Sequence, residues 1–305
     1  MSFKIGATSV GIPIVADDNC MIADTHTGTQ TQLLMAQDNA ARVRYIFSET
    51  KSKVMHFCPK GSLSMPLLFN NKEIEYSRRE THLGLVRTDD GKASVAVSER
   101  IKTGRRTALS LMGAGLYGVN GVSPHVSKTL IATYVDPAVY YGLEAMTLSE
   151  ADYQELDKSQ RTLLHEIQGL PDSTAIPAVY LLLGVLPMSA QVHIKILSVY
   201  NSIIHRPKTE FDIIMRQLAI KDSSSHSWTS ELRRVLYTYQ LPSPMQLAHN
   251  PPEKERWKQM VKAAVWAHWE NKLKDQAAVM KSLRYLNINM CAIGYTHPVW
   301  VIMWR

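Results

Sequence analysis

The chain is poor in the features that announce most small-site chemistries. Of its 305 residues only three are cysteine, Cys20, Cys58 and Cys291. They stand far apart without any C-x-x-C spacing, so neither a disulfide framework nor a zinc site is implied, and a reducing compartment is the default. His193, His205, His226, His249, His268 and His297 are likewise scattered with no ligand spacing. No uncharged apolar run approaches the roughly 18 residues of a membrane span, and the start lacks the basic-then-apolar order of a secretory signal. An intracellular protein, nuclear or cytoplasmic and without a membrane partner, is expected. Repeats and long low-complexity tracts are absent too. A large excess of one charge is also missing: 34 basic against 27 acidic residues leave a net +7. That balance favours anionic partners, and it fits an ordinary basic protein equally well.

What is present begins with two adjacent carboxylates, Asp17 and Asp18. They lie between the apolar runs Val10–Ala16 and Asn19–Ala23. Apolar segments flanking a short polar turn predict a β-hairpin, whose tip lets two carboxylates face one bound cation. Such a pair repels itself unless a divalent ion neutralises it, and Mg²⁺ takes one or two carboxylates together with substrate phosphate oxygens. That pattern suits metal-assisted phosphoryl or nucleotidyl transfer. A second pair, Asp89-Asp90 before Gly91, precedes a polar helix start and predicts a plain turn.

Along the chain, the pattern divides at about residue 90. Asp24 to Thr27 offers helix caps, and Leu33, Leu34, Ala36, Ala40, Ala41, Val43 and Tyr45 recur at helical spacing to about Phe47. Val54 to Cys58 is strand-like. Leu67 to Phe69 and Ile74 to Tyr76 flank a hairpin turn at Asn70-Asn71-Lys72, and Thr81 to Val86 predicts one more strand. The sheet is expected to leave strand edges unpaired, an aggregation hazard. From about Lys92 the pattern is helical. Ser149 to Asp152 resembles a capping box, Gly169-Leu170-Pro171 ends the helix it opens, and Pro137 should bend Ser127 to Tyr141. A long helix is predicted from about Glu253 to Leu283.

Several of these motifs, in this order, resemble the reverse transcriptase of a non-LTR (LINE-type) retrotransposon. Ile5 to Gly11 and Ala16-Asp17-Asp18 are similar to the palm motif that carries two of the family's three catalytic aspartates. Phe47 to Met55 is similar to its N-x-x-K-S-x-V-M segment, with Ser48 in place of the asparagine. His82-Leu83-Gly84-Leu85 is similar to the Y-L-G strand of its primer grip. Val139 to Glu144, Leu156 to Arg161 and Gly169 to Thr174 resemble its helical thumb and connector. Val15 departs from the pattern, standing where the family usually has an aromatic residue. The resemblance spans the chain to about Thr174 and implies an α+β fold: a partial palm over 1–90, a helical thumb over 91–206 and a helical connector over 207–305.

It also implies RNA-directed DNA polymerase chemistry. Deoxynucleoside triphosphates would be added to a DNA primer on an RNA template, with Asp17 and Asp18 holding Mg²⁺ for two-metal catalysis. Lys51 would meet the nucleotide phosphates, and His82, Leu83 and Gly84 would approach the primer. The family's remaining aspartate and its fingers would lie upstream of Met1. The chain is therefore expected to be an internal piece, inactive alone. Arg100, Lys102, Arg105 and Arg106 share one predicted helix, where at least three could track the phosphates of an RNA–DNA hybrid. A solvated helix face explains the same four residues, and Trp257, Trp266, Trp269, Trp300 and Trp304 read as packing residues more readily than as base-stacking ones. Two alternatives to the enzyme are a non-catalytic nucleic-acid-binding remnant and a decayed reading frame with only a helical scaffold.

Overall fold

The computed structural model describes all residues except 1–3, 6–7, 10–13, 16–17, 58–64, 117–120, 207–208, 221–223 and 303–305. The chain mixes helices with short antiparallel ladders, an α+β composition, and falls into two compact units. The first comprises 1–92 with 206–222, the second 93–205 with 223–305.

In the first unit the strands are β1 (Lys4–Ile5), β2 (Thr8–Ser9), β3 (Ile14–Val15), β4 (Asp18–Asn19), β5 (Leu68–Phe69), β6 (Lys72–Glu73), β7 (Arg79–His82) and β8 (Leu85–Thr88). They pair only as successive antiparallel couples, so the described residues contain four two-stranded ladders and no larger sheet. Helix α1 (His26–Val43) starts where Thr25 accepts a hydrogen bond from the Gly28 N–H at 3.0 Å, and it stops at Arg44, which turns left-handed at φ 61°. Leu33 of α1 packs with Leu67, Phe69 and Ile74, and with Met21, Phe47, Val54 and Tyr76, into a small apolar core. The Gln30 carboxamide completes this join. Its Nε2 donates to the Leu68 carbonyl and its Oε1 accepts from the Leu68 N–H, both at 2.8 Å, as a neighbouring strand would. In chain order α8 (Thr209–Ile220) belongs to this unit and contacts β2.

Two strand expectations are corrected here. Val54 makes a single parallel bridge to Tyr76 rather than opening a strand, and Cys58 lies outside the described residues. The predicted strand Thr81 to Val86 is a hairpin. His82 pairs with Leu85, so Leu83 at φ 49° and Gly84 at φ 73° form a two-residue turn with both φ positive. Apolar alternation alone could not reveal that turn, because Leu83 is a poor turn former and only Gly84 hints at it.

The second unit is built of helices: α2 (Ser94–Met112), α3 (Pro124–Leu130), α4 (Asp136–Tyr140), α5 (Glu150–Gln168), α6 (Ile176–Leu183), α7 (Met188–Ile204), α9 (Trp228–Thr238), α10 (Pro244–His249), α11 (Lys254–Ala278) and α12 (Pro298–Ile302). Between α3 and α4 the chain widens into a π-helical turn at Ile131–Val135. Pro137 has no N–H for a helical bond to its preceding turn, and the wide turn absorbs the mismatch. Ser149 and Asp152 form the reciprocal cap that opens α5, and Gly169 and Gly184 close α5 and α6 in the left-handed region. The core lies where α7 meets α5, α9 and α11 and where α6 packs on α5 and α11. Tyr180, Leu181, Leu183, Ile196, Leu197 and Tyr200 there are fully enclosed. Among the described residues no single helix is long and apolar enough to cross a membrane. Helices α6 and α7 qualify only together, across a 60° bend, and both are lined with buried residues.

Candidate nucleic-acid and metal site

The acidic hairpin is β3–β4. Its register pairs Ile14 with Asn19 and Val15 with Asp18. Asp18 is exposed at the mouth of this ladder, while Asp17, together with Ala16, lies outside the described residues. Asn19 and Met21 follow and line a groove of about 480 Å³, whose far wall is α1 with Met35, Asp38 and Arg42 and whose end is Tyr45 and Phe47. Arg42 and Asp38 pair across one turn of α1 at 2.6 Å with both side chains largely in solvent. The groove beside the hairpin has no sequence signature, because its residues come from three separate segments.

Mg²⁺ takes oxygen ligands, and an exposed carboxylate beside a paired strand is a donor of the right kind. No group of three or more His, Cys, Asp or Glu side chains gathers to hold a metal among the described residues. Lys51 is exposed in the turn that follows α1. Its neighbours are committed elsewhere: Lys53 pairs with Glu75, and Glu49 pairs with Lys72 at 2.6 Å. The Lys72 ammonium, donating to Glu49, holds that carboxyl below its ordinary range. Asp90 behaves as a turn residue, accepting from the Thr88 hydroxyl at 2.7 Å and the Lys92 N–H at 3.0 Å.

In the second unit the four cations of α2 do not act together. At about 100° per residue, Lys102, Arg105 and Arg106 share roughly 100° of arc and Arg100 lies about 120° or more away. All three are exposed, whereas the Arg100 guanidinium stacks on Tyr141 at 4.5 Å. Arg106 reaches back to the Lys102 carbonyl at 3.4 Å, and Lys102 pairs with Glu99 at 3.1 Å. The face they make also carries Leu109, 54% exposed.

Comparison with protein-family models, with curated proteins and with solved structures finds no match to this chain. What the molecule can do therefore rests on its own residues.

One cluster escaped the sequence. In the second unit the Tyr153 hydroxyl donates to Glu231 at 2.6 Å, and Arg234 clasps the same carboxylate with two N–H groups at 2.6 and 3.0 Å. The Trp269 indole N–H donates to the Tyr239 hydroxyl oxygen at 3.1 Å, which leaves the hydroxyl proton for His193 Nδ1 at 2.8 Å. An imidazole that accepts at Nδ1 carries its proton on Nε2. That Nε2 is buried, has no hydrogen-bond partner, and stands 4.0 Å from Glu231. The carboxylate would favour a charged imidazole, but it is already bound to Arg234 and Tyr153. Burial and the nearby Arg234 push His193 down to about 3, and burial pushes the Tyr239 phenol up. His193 and Glu231 come from helices whose spacing shows only that each faces inward. Cross-helix partnership is invisible to a one-dimensional pattern.

Proposed function

We propose that the chain carries the metal-binding carboxylates and part of the nucleic-acid grip of a retrotransposon-type RNA-directed DNA polymerase. In this proposal residues 1–90 derive from the palm, 91–206 from the helical thumb and 207–305 from the helical connector. The register Val15 to Asp18 carries the proposal: it closes an antiparallel ladder on either side of Ala16-Asp17, as a tight acidic tip requires, and helix α1 follows at once. The carboxylates of Asp17 and Asp18 would hold Mg²⁺, which when bound neutralises developing phosphate charge. The part of this chain is to supply those oxygens, a lysine at position 51 near the incoming triphosphate, and the His82-Leu83-Gly84 hairpin tip against the primer. At that tip Gly84, which has no Cβ, leaves room for its backbone to approach a strand where a larger residue would not.

Two carboxylates satisfy one divalent ion well and two poorly, so the purified chain is expected to bind an RNA–DNA hybrid without extending it. The exposed row Lys102, Arg105 and Arg106 supports the binding part of this reading independently of any chemistry. The test is anisotropy of a labelled hybrid with the full chain across a salt series. Replacing the three cations by Gln should weaken binding several-fold and flatten the log–log salt slope by about two to three. Unchanged affinity and slope would reduce α2 to a solvated face.

A further inference from the structure

Helix α11 carries a second cationic row, and its placement runs against the needs of the helix. Lys254, Arg256 and Lys258 crowd the first turns, where the helix dipole favours acids, and the last turn has no basic residue. Glu253 and Glu255 offset this only in part. The row adds no ion pair to the fold either: Lys254, Lys258 and Lys262 are all exposed and, among the described residues, none belongs to one. They follow one another at every fourth position, next to the buried ridge Trp257, Val261, Val265, Leu273 and Ala277. Four residues advance the helix about 6 Å, close to the separation of neighbouring phosphates along an extended single strand. The row ends at Trp266. Its ring is wedged against Gly294, where an added Cβ would lie 2.5 Å away, and the Lys262 ammonium sits 4.3 Å from the ring centroid. The last ammonium of the row is thus held before any partner arrives, which lowers the ordering cost of binding.

We infer that Lys254, Lys258 and Lys262 form a contact surface for the phosphodiester backbone of single-stranded nucleic acid. A membrane surface fits less well. The outward ridge of the same helix is Glu255, Gln259, Ala263, Ala267, Asn271 and Asp275, with no large apolar side chain to insert. The inference does not depend on the polymerase reading, because α11 is not part of the acidic hairpin or of α2.

The experiment uses the full chain with fluorescein-labelled oligouridylate and oligothymidylate twelve-mers, and compares Lys254→Gln/Lys258→Gln/Lys262→Gln with the charge-matched control Lys4→Gln/Lys158→Gln/Lys281→Gln. The row variant should bind about ten-fold or more weakly at low salt, with its log–log salt slope flatter by about two, the value for three single-strand phosphates. The control should change less than about two-fold. Equal weakening in both variants would reduce the effect to net charge and overturn the inference, as would binding by the row variant that matches the unchanged chain. Stronger capture on phosphatidylserine vesicles than on either oligonucleotide would overturn it as well. Removing the row should not lower the melting temperature; a clear fall would return these lysines to a structural role.

Discussion

The two units solve the same problem, enclosing backbone and apolar surface, by different means. In the first, the described residues form four ladders of two strands each, Gln30 ties α1 to one of them, and a cluster of four buried apolar residues is helped by partly covered neighbours. Helix α1 leaves Leu34, Met35 and Val43 exposed, and Ile46 just beyond it is 92% exposed. In the second, helices enclose large side chains completely, with buried polar ties such as Tyr153–Glu231 and Tyr239–His193 between them, although buried atoms such as His193 Nε2 and Asn201 Oδ1 are left without a partner. Two-stranded ladders are marginal on their own, whereas interlocked helices protect their hydrogen bonds internally. The contrast assigns the candidate metal carboxylate to the softer region and the candidate nucleic-acid rows to the firmer one.

The largest expected difference comes from two left-handed glycines. At Gly184, φ 63°, an added Cβ would lie 2.0 Å from the Tyr295 carbonyl oxygen and 2.5 Å from that of Ala292, so Gly184→Ala must displace the segment that closes over α6. Chemical denaturation should show a loss of more than about 3 kcal/mol from the second unit. At Gly91, φ 70°, nothing lies within 4 Å of the added atom. Gly91→Ala should cost only the left-handed backbone strain, about 1–2 kcal/mol. Equal costs would mean that the two units are not packed as differently as described.

Next comes the pair of polar ties. Tyr153→Phe strands a buried lone pair of Glu231 and should cost the second unit about 1–3 kcal/mol. Lys53→Met breaks an exposed ion pair with Glu75 and should cost under about 1 kcal/mol. Gln30→Ala, which unpairs both backbone groups of Leu68, should fall between them and be read by hydrogen exchange at β5.

The pH dependence separates the units further. His193 titrates near 3 in the folded chain and near 6.5 when unfolded, so the unfolded chain binds the extra proton below pH 6.5. Stability from this group is present above pH 6.5 and declines as pH falls toward 3, by on the order of 2 kcal/mol at pH 5. Asp136 acts with the opposite sign. Burial pushes it up to about 7 from 3.8, so the folded chain holds the extra proton between those values and stability falls as pH rises through that window. Asp136→Asn should therefore leave a second unit whose melting temperature rises more steeply from pH 5 to 7, and His193→Gln one whose melting temperature falls over the same range. A variant pair with identical profiles would contradict both assignments. The exposed residues of the first unit are expected to contribute little to either profile.

Local signals were legible and cross-chain ones were not. The Asn70-Asn71 turn, at φ 51° and 60°, follows from residues that tolerate the left-handed region, and the Ser149–Asp152 cap follows from two side chains three apart. Gly169 as a helix end is equally local. The Leu83-Gly84 turn was hidden by an apolar residue at its first position. That the strands form separate ladders was also hidden, because pairing depends on register and partner choice. Of the candidate site, Asp18, Lys51 and the α2 cations stand out in the sequence. The split of Arg100 from its companions appears only once Tyr141 is brought beside it, and the groove along α1 and the buried cluster around His193 need the fold.

The polymerase assignment is tested most directly by the dependence of hybrid binding on divalent ion. The full chain, titrated with a labelled RNA–DNA hybrid, should bind more tightly in Mg²⁺ than in chelator at matched ionic strength, and Asp17→Asn/Asp18→Asn should erase that difference while leaving the melting transition in place. A metal effect that persists in the double variant, or its absence from the unchanged chain, would contradict the assignment of the acidic hairpin as a cation site.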